Sequence, residues 1–360
     1  MNQLCYDVVV LGAGVAGATC ARLAQQRGLH VVLVDPVDPG RPTPARPEWI
    51  TRPALSILDE MGVASTAFAS EPISGAVFHN ADLERTAEAS EKEPPAFRVD
   101  YGELNRSLVE QAVGAGARAV FGVAPGKVQV RERATLVQFP NGETIQGRFL
   151  VVASGCGTPP DAGDRCQGRW LAAYQGRTAK DGGDDRLHWA LGRHGIVWWQ
   201  TSEQLVVTLC APGSREHVAA LLQDFLVEGG EARVLPATVG DALIITRPAP
   251  AVSALEMDSL VDKGTLRIGD AGGFVCFASL EGIYPAMWSA KLAVDVLAQA
   301  VRSAQPQDTL QDFDRLWRTA MAEYLRPPDI ETPFLLPLVF SNRQMAARLA
   351  AAFWRGQRTE

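Results

Sequence analysis

The glycine-rich segment Gly12–Gly17, which reads Gly-Ala-Gly-Val-Ala-Gly, constrains the fold more than any other feature of this chain. It follows the apolar run 6–11, which has the composition of a buried strand, and it opens a helical pattern over 16–26. A strand, a glycine turn and a helix in this order are the context that a dinucleotide-binding turn requires. The segment therefore predicts a Rossmann-type β-α-β unit at the start of the chain.

Each position of this turn has an expected role in binding a dinucleotide. Gly12 permits the tight turn, Gly14 lets the backbone approach a pyrophosphate, and Gly17 lets the helix pack on the strand. The N–H groups at the start of the helix, at Val15 and Ala16, face the same phosphates and carry the positive end of the helix dipole. We therefore expect 12–17 to hold the diphosphate of the cofactor.

A second apolar run, 30–34, ends at Asp35. A carboxylate at this position of the unit accepts hydrogen bonds from the adenosine ribose. NAD and FAD are both compatible with this unit, so the N-terminal segment alone leaves the choice between them open.

A second Gly-Asp turn lies near the other end of the chain, at Gly269–Gly273, and a long helical pattern begins near 281–283. This segment resembles the Gly-Asp motif of flavoproteins of the p-hydroxybenzoate hydroxylase type. The resemblance implies that Gly269 and Asp270 contact the ribityl chain of FAD. It also implies that Gly282 and Ile283, at the start of the helix, lie at the pyrimidine edge of the flavin.

The order of motifs over residues 4–300 resembles that of the same flavoproteins, nearest to the halogenase-like, quinone-cofactor-maturation and geranylgeranyl-reductase-like branches. One departure from the family pattern is Tyr101, which stands where these proteins usually have an arginine. The fold class expected is α/β, with a Rossmann-like FAD-binding domain interleaved with an antiparallel-sheet substrate domain. We assign 1–165 and 240–300 to the FAD-binding domain, 166–239 to the substrate-domain sheet, and 301–360 to a helical C-terminal region.

Two residues are candidates for catalysis. Glu48 lies in 46–50, which resembles the Gly-Glu-Ser-Leu stretch of tryptophan halogenases and of flavoproteins that modify protein-bound tryptophan; a loop without chemistry explains the segment equally well. Trp199 lies in 195–201, which partly resembles a motif shared by halogenases and prenyl-lipid reductases. Trp199 either stacks over the flavin or substrate, or fills the buried face of a sheet together with neighbouring tryptophans.

These resemblances favour an FAD-dependent monooxygenase that acts on an apolar or aromatic substrate, including a tryptophan held in a client protein. A halogenase is disfavoured, because 46–61 contains no lysine. A reductase of isoprenoid double bonds is the alternative, since Glu281, Gly282 and Ile283 match that branch. A flavin-bearing assembly factor is a third possibility, because Val152 replaces the aspartate of a segment that helps to hold NADPH.

Composition narrows the functional classes further. Hydrophobic residues make up 47% of the 360 residues, enough for a large core, and the net charge of −7 argues against a nucleic-acid partner. The six cysteines and five histidines show no metal-ligand spacing. Neither a signal peptide nor an integral membrane segment is expected, and reduced core thiols suit a cytoplasmic protein.

Overall fold

The computed structural model describes residues 5–41, 46–69, 71–131, 134–156, 168–179, 183–192, 195–276, 278–326 and 332–355. The strands in these ranges are β1 (Cys5–Leu11), β2 (Val31–Asp35), β3 (Pro47–Thr51), β4 (Glu71–Ile73), β5 (Gly75–His79), β6 (Thr86–Ser90), β7 (Ala96–Asp100), β8 (Arg118–Phe121), β9 (Lys127–Arg131), β10 (Ala134–Gln138), β11 (Thr144–Val152), β12 (Arg169–Thr178), β13 (Asp184–Ala190), β14 (Ile196–Thr201), β15 (Gln204–Pro212), β16 (Thr238–Pro248), β17 (Val261–Asp262) and β18 (Thr265–Arg267). The α-helices are α1 (Val15–Gln26), α2 (Arg52–Glu60), α3 (Tyr101–Gly114), α4 (Arg215–Glu231), α5 (Ile283–Ala300), α6 (Pro306–Leu325), α7 (Thr332–Ser341) and α8 (Arg343–Arg355).

The first sheet has the order β17-β18-β11-β1-β2-β8, and the β9–β10 hairpin extends from β11. Strands β18, β11, β1, β2 and β8 run parallel, so their carboxyl ends meet at one edge. Val8 and Val10 of β1 pack beneath the helices, whereas Val9 and Leu11 pack on the opposite face with Val137 of the hairpin. Burial on both faces is typical of a parallel sheet, and it explains why β1 reads as a continuous apolar run.

Helices α1, α3 and α5 cover one face of this sheet. Helix α3 begins after Asp100, whose carboxylate accepts a hydrogen bond from the backbone N–H of Glu103 at 2.9 Å and so caps the helix. Helix α5 begins after Gly282 and is buried along most of its length. The strand–turn–helix unit predicted near the N-terminus is thus β1 and α1, and the helix predicted near 281–283 is α5. Both helices pack on the first sheet.

The second sheet has the order β16-β12-β15-β14-β13-β5-β6. The sequence predicts an antiparallel sheet here, but one pair, β13 with β5, is parallel. Strands β5 and β6, from 75–90, also belong to this sheet, although the sequence-based division places them in the FAD-binding domain. Strand β16 forms an edge of this sheet against β12, although the sequence-based division places 240–248 in the FAD-binding domain. Pairings between such distant segments leave no signature in the local sequence.

The three-stranded sheet β3-β7-β4 and helices α7 and α8 cover one face of the second sheet. Trp354 of α8 packs edge-on against Trp49 and Trp189, with ring centroids 5.2 Å apart in both pairs. Helix α4 covers the opposite face through Val218, Leu222 and Phe225. Within the helical C-terminal region predicted from the sequence, α7 and α8 therefore pack on the second sheet, whereas α6 packs on α5 in the layer of the first sheet.

The architecture is α/β, with a Rossmann-like sheet interleaved with a second, mainly antiparallel sheet, and the predicted fold class is confirmed. The predicted boundary between 165 and 166 lies outside the described residues. The division of the chain into four segments stays a prediction. Residues 75–90 and 238–248, which that division assigns mainly to the FAD-binding domain, contain strands of the second sheet. Among the described residues, no helix is both long and apolar enough to cross a bilayer.

Candidate functional site

A cavity of about 430 Å³ lies at the carboxyl edge of the first sheet, between that sheet and the end of the second one. Nine of the residues predicted from the sequence line it: Gly12, Gly14, Val15, Ala16, Asp35, Glu48, Asp270, Gly282 and Ile283. They come from segments far apart in the chain. Because the carboxyl ends of parallel strands are the usual ligand site of such sheets, this cavity is the candidate cofactor site.

The glycine turn after β1 fits closely into the structure on two sides. Gly12 has φ of +104°, and a Cβ atom there would lie 2.2 Å from the carbonyl oxygen of Ala153. A Cβ atom on Gly17 would lie 1.8 Å from the carbonyl oxygen of Gly12, so Gly17 supports the turn from behind. At Gly14 the nearest contact of an added Cβ would be the Tyr101 hydroxyl at 3.5 Å. Gly14 is therefore the position at which the backbone is open to a ligand.

Asp35, at the end of β2, lies at the adenosine end expected for this unit. Its Oδ2 atom accepts a hydrogen bond from the N–H of Ala13 at 2.6 Å, and its Oδ1 atom accepts one from the N–H of Val37 at 2.8 Å. Each carboxylate oxygen has a further lone pair. Asp35 therefore fixes the glycine turn and can still accept a hydrogen bond from a ribose.

The two glycine-rich segments are in contact. A Cβ atom on Gly269 would lie 2.7 Å from the Cβ atom of Ala16, so the late turn packs directly on the first turn of α1. The carboxylate of Asp270 faces Gly282, where an added Cβ would lie 3.7 Å from Oδ1. Burial raises the pKa of Asp270, and the nearby charge of Arg46 opposes that shift. Gly269 thus supports the wall of the cavity, and Asp270 lines it.

Glu48 lies in the cavity wall between two arginines. Its Oε1 atom accepts hydrogen bonds from Arg46 Nε at 3.0 Å and from Arg247 Nη2 at 3.2 Å, and its side chain is 18% exposed. Burial raises the pKa of Glu48, and Arg46 opposes the shift. The loop interpretation of 46–50 is therefore wrong, because Pro47–Thr51 forms β3 and pairs with β7.

Arg46 and Tyr101 are cavity residues that the sequence did not single out as candidates. The resemblance indicated only that Tyr101 replaces the usual arginine. The Arg46 guanidinium carbon lies 3.9 Å from the centre of the Tyr101 ring. A signal for Arg46 is visible in the sequence. Arg46 directly precedes β3 and lies two positions before Glu48, and residues two positions apart in an extended segment point to the same side.

The second sheet contributes the opposite wall of the cavity. Leu171 and Cys210 face each other on β12 and β15, and Arg169 and Arg247 lie nearby at the strand ends. Burial raises the pKa of the Cys210 thiol, and a hydrogen bond with Arg169 opposes the shift. No sequence pattern indicated these residues, because their position depends on how the two sheets meet.

A buried carboxyl group lies directly behind the N-terminus of α5. Glu281 is 2% exposed, and it accepts hydrogen bonds from the Tyr324 hydroxyl at 2.9 Å and from the N–H of Tyr284 at 2.7 Å. Burial raises the pKa of Glu281 to about 7. Glu281 therefore fixes the start of α5 and its neighbour Gly282, which lines the cavity.

The structure places Trp199 outside the cavity, contrary to the catalytic role predicted for it. Its ring is 1% exposed and packs 4.6 Å from the ring of His79 and 5.6 Å from that of Phe225, on the α4 side of the second sheet. Successive strand residues point to opposite faces, and Trp199 points away from the cofactor side. The alternative interpretation, that the tryptophans fill the buried faces of the sheet, accounts for Trp189, Trp198 and Trp199.

These residues fit FAD. No side chain caps the N-terminus of α1, Gly14 is open to the cavity, and Arg46 supplies a positive charge beside it. Asp35 and Asp270 provide acceptors for sugar hydroxyls at separate parts of the cavity. In the described part of the chain, no group of three or more metal-ligating side chains occurs.

Residues 6–198 match the family model of the pyridine nucleotide-disulphide oxidoreductases. The chain belongs to this family. It is an FAD-dependent oxidoreductase, as the FAD-binding motifs and the resemblance of its sequence indicated.

Two similar proteins align with nearly the whole chain. A digeranylgeranylglycerophospholipid reductase of Methanothrix thermoacetophila is 25% identical over 355 residues, covering 89% of this chain and 84% of that protein. The crystal structure of a geranylgeranyl bacteriochlorophyll reductase-like protein of Thermoplasma acidophilum has a TM-score of 0.75 at 17% identity, covering 99% of this chain and 98% of that one.

A flavin-dependent brominase, Bmp2, has the same fold, with a TM-score of 0.70 at 17% identity, covering 96% of this chain and 93% of that one. The two similar structures show the shared fold and nothing further. The reductase-like and halogenase-like branches suspected from the sequence are both represented among these relatives.

Proposed function

We propose that this oxidoreductase uses FAD to reduce a carbon–carbon double bond in an elongated apolar substrate. The observation that carries the proposal is the shared cavity, in which Leu171 and Cys210 of the second sheet line the same space as Gly282 and Ile283 of the flavin end. A substrate between them would meet the flavin on one side and Leu171 and Cys210, flanked by Arg169 and Arg247, on the other. The identity with the Methanothrix reductase over most of both chains supports this substrate class.

The binding roles proposed for the cofactor follow from the positions of the cavity residues. When bound, FAD supplies the two-electron chemistry of the reaction. The N–H groups at the start of α1 and the guanidinium of Arg46 bind the diphosphate. Asp35 accepts hydrogen bonds from the adenosine ribose, and Asp270 accepts them from the ribityl chain.

The N-terminus of α5 has an electrostatic role in this proposal. Gly282 and Ile283 present the positive end of the helix dipole to the cavity, which favours negative charge there. Glu48 keeps the guanidinium groups of Arg46 and Arg247 in place and offsets part of their charge. Such fixed charges stabilise a reacting group without reorganising during the reaction.

Reduction of a double bond also needs a proton for the second carbon. Two neutral side chains that carry a proton line the cavity, the Cys210 thiol and the Tyr101 hydroxyl, and burial raises the pKa of each further. Tyr101 lies at the Gly14 end, whereas Cys210 lies on the wall beside which the substrate would lie. We assign the proton transfer to Cys210 for this reason.

Oxygenation of an apolar or aromatic substrate, including a tryptophan of a client protein, is the second candidate. The Cys210 thiol is compatible with it as well, since oxygen insertion also needs a hydrogen-bond donor for the departing oxygen on the wall beside the substrate. A client-binding assembly factor would need neither proton donor.

Anaerobic turnover separates these candidates. Dithionite-reduced, FAD-loaded protein is mixed with geranylgeraniol without oxygen, and product mass is followed by mass spectrometry. A gain of two hydrogen atoms, lost or strongly slowed in Cys210→Ala but retained in the distant control Cys20→Ala, is the expected result. A gain of one oxygen atom in air, with no anaerobic product, would establish oxygenation instead, and no product under either condition would leave the assembly role.

A further inference from the structure

A second cavity, of about 500 Å³, lies between the second sheet and the three-stranded sheet, and we call it the head-group cavity. Its lining is mainly polar and consists of Ala67, Phe68, Glu71, Arg98, Val99, Asp100, Glu103, Gln200, Ser202, Glu203, Gln204 and Val206. None of these residues lines the cofactor cavity. The head-group cavity is therefore a separate space with its own chemistry.

Gln200 lines this cavity with an unpartnered amide. The residue is 2% exposed, and neither its Oε1 nor its Nε2 atom has a hydrogen-bond partner. A buried amide without partners destabilises a folded protein, because it has lost its bonds to water and gained none in exchange. A polar ligand in this cavity would supply the missing partners.

Arg98 brings a second unpartnered donor to the same cavity. Its Nη2 group donates to the backbone carbonyls of Asp184 and Thr201, which fixes the guanidinium in place. Its Nε atom is buried and has no partner. Arg98 and Gln200 together thus offer donors and one acceptor, a set that matches a hydroxyl or amide group.

The charge of the lining restricts the ligand further. Four carboxylate residues, Glu71, Asp100, Glu103 and Glu203, line the head-group cavity, and Arg98 is its one cation among the described lining residues. Asp100 is already engaged by the backbone N–H groups of Glu103 and Arg46. An anionic head group such as a phosphate would meet an excess of negative charge here, so a neutral polar group is favoured.

The head-group cavity and the cofactor cavity lie along the same face of the second sheet. Val206 lines the head-group cavity and Cys210 lines the cofactor cavity. These two residues share a face of β15 because they are four positions apart. Four residues of strand span roughly 13 Å. Between them, Thr208 pairs with Ala173, and both side chains are small.

We infer that the head-group cavity binds the neutral hydroxyl or amide head of an elongated apolar substrate whose reacting segment lies along Ala173 and Thr208 toward the cofactor cavity. This inference rests on the proposed function for the nature of the apolar segment. The assignment of the head group itself rests on Gln200, Arg98 and the surrounding carboxylates.

Binding to the oxidised, FAD-loaded protein tests the inference without turnover. Geranylgeraniol and geranylgeranyl diphosphate share one apolar chain and differ in the charge of the head. We expect the alcohol to bind about tenfold more tightly than the diphosphate. Gln200→Met, which keeps the length of the side chain, should weaken binding of the alcohol by about tenfold, as expected for the loss of one or two neutral hydrogen bonds.

Two further variants make the outcome decisive. Gln138→Met, in the first sheet, should leave the affinity for the alcohol unchanged. The double substitution Glu71→Gln and Glu203→Gln should lower the ratio of the affinity for the alcohol to the affinity for the diphosphate.

Equal binding of the alcohol to Gln200→Met and the unaltered protein would overturn the inference, as would tighter binding of the diphosphate to the unaltered protein. Gln200-dependent binding without any reduction would instead overturn the proposed function and leave the head-group assignment standing.

Discussion

The guanidinium carbon of Arg46 lies over the ring of Tyr101, 3.9 Å from its centre, and both residues line the cavity beside Gly14. The sequence resemblance places Tyr101 where related flavoproteins have an arginine. Arg46, from a different segment, therefore supplies a positive charge close to the position at which that arginine is missing. The Tyr101 ring supports this charge through a cation–π contact.

Replacing Arg46 tests this compensation. Arg46→Gln should weaken FAD binding by about tenfold or more, because a charge-assisted contact to the diphosphate contributes on the order of 1.5–3 kcal/mol. Flavin absorbance after gel filtration, followed by titration of the apoprotein with FAD, measures the effect. Arg41→Gln, at an exposed arginine of the neighbouring loop, is the matched control. Equal flavin retention in both variants would remove Arg46 from the cofactor site.

A substitution at Gly14 should separate cofactor binding from folding. An added Cβ meets only the Tyr101 hydroxyl, at an ordinary contact distance, so Gly14→Val should fold but fail to retain FAD. Gly17→Ala is the comparison, because its Cβ would collide with the Gly12 carbonyl and should lower the thermal midpoint itself. Circular dichroism and flavin absorbance distinguish the two. A yellow, fully loaded Gly14→Val protein would contradict the proposed position of the diphosphate.

Glu48 should affect turnover more than flavin content. Glu48→Gln keeps one acceptor for Arg46 and Arg247 but removes the negative charge between them. We expect a fall in kcat on the order of tenfold, from an electrostatic change of about 1–2 kcal/mol. Trp199→Phe is the matched control, since Trp199 lies outside the cavity. A Glu48→Gln enzyme with unchanged kcat would reduce Glu48 to a structural role.

Glu281 should make stability depend on pH. Its pKa is about 7 in the folded protein, against about 4.3 in an unfolded chain. Between these values the folded protein retains a proton that the unfolded chain has released, so the free energy of unfolding falls as pH rises. Glu281→Gln removes this contribution, and its thermal midpoint should fall less than that of the unaltered protein between about pH 5 and about pH 8.

Over this pH range, the free energy of unfolding of the unaltered protein should fall by on the order of 2–4 kcal/mol more than that of Glu281→Gln. Thermal unfolding at several pH values measures it, with the exposed Glu143→Gln as control. Parallel pH profiles of Glu281→Gln and the unaltered protein would show that the Glu281 carboxyl does not retain its proton.

Local patterns account for the parts of the site that the sequence predicted. Gly12, Gly14 and Gly17 lie within one strand–turn–helix unit, whose geometry follows from short-range sterics. Asp270 and Gly282 could be assigned by resemblance to a known motif. The contact between Gly269 and Ala16 then follows, because both turns lie at the carboxyl edge of one parallel sheet.

The remainder depends on contacts between distant segments. Trp198 and Trp199 are neighbours in sequence but point to opposite faces of β14, and a shift of one residue in register would exchange them. Arg247 reaches Glu48 only because β16 pairs with β12 and the second sheet ends at the cavity. Neither relationship has a local signature in the sequence.

The placement of β18 has a consequence for how the protein is made. Strand β18 completes the first sheet beside β11, and Asp270 follows it directly, so one wall of the cofactor cavity comes from the late part of the chain. A nascent chain emerging from the ribosome therefore exposes its glycine turn long before the opposite wall has been synthesised. We therefore expect FAD to be loaded only after β18 and Asp270 have emerged, and expression under flavin shortage should yield full-length protein without FAD.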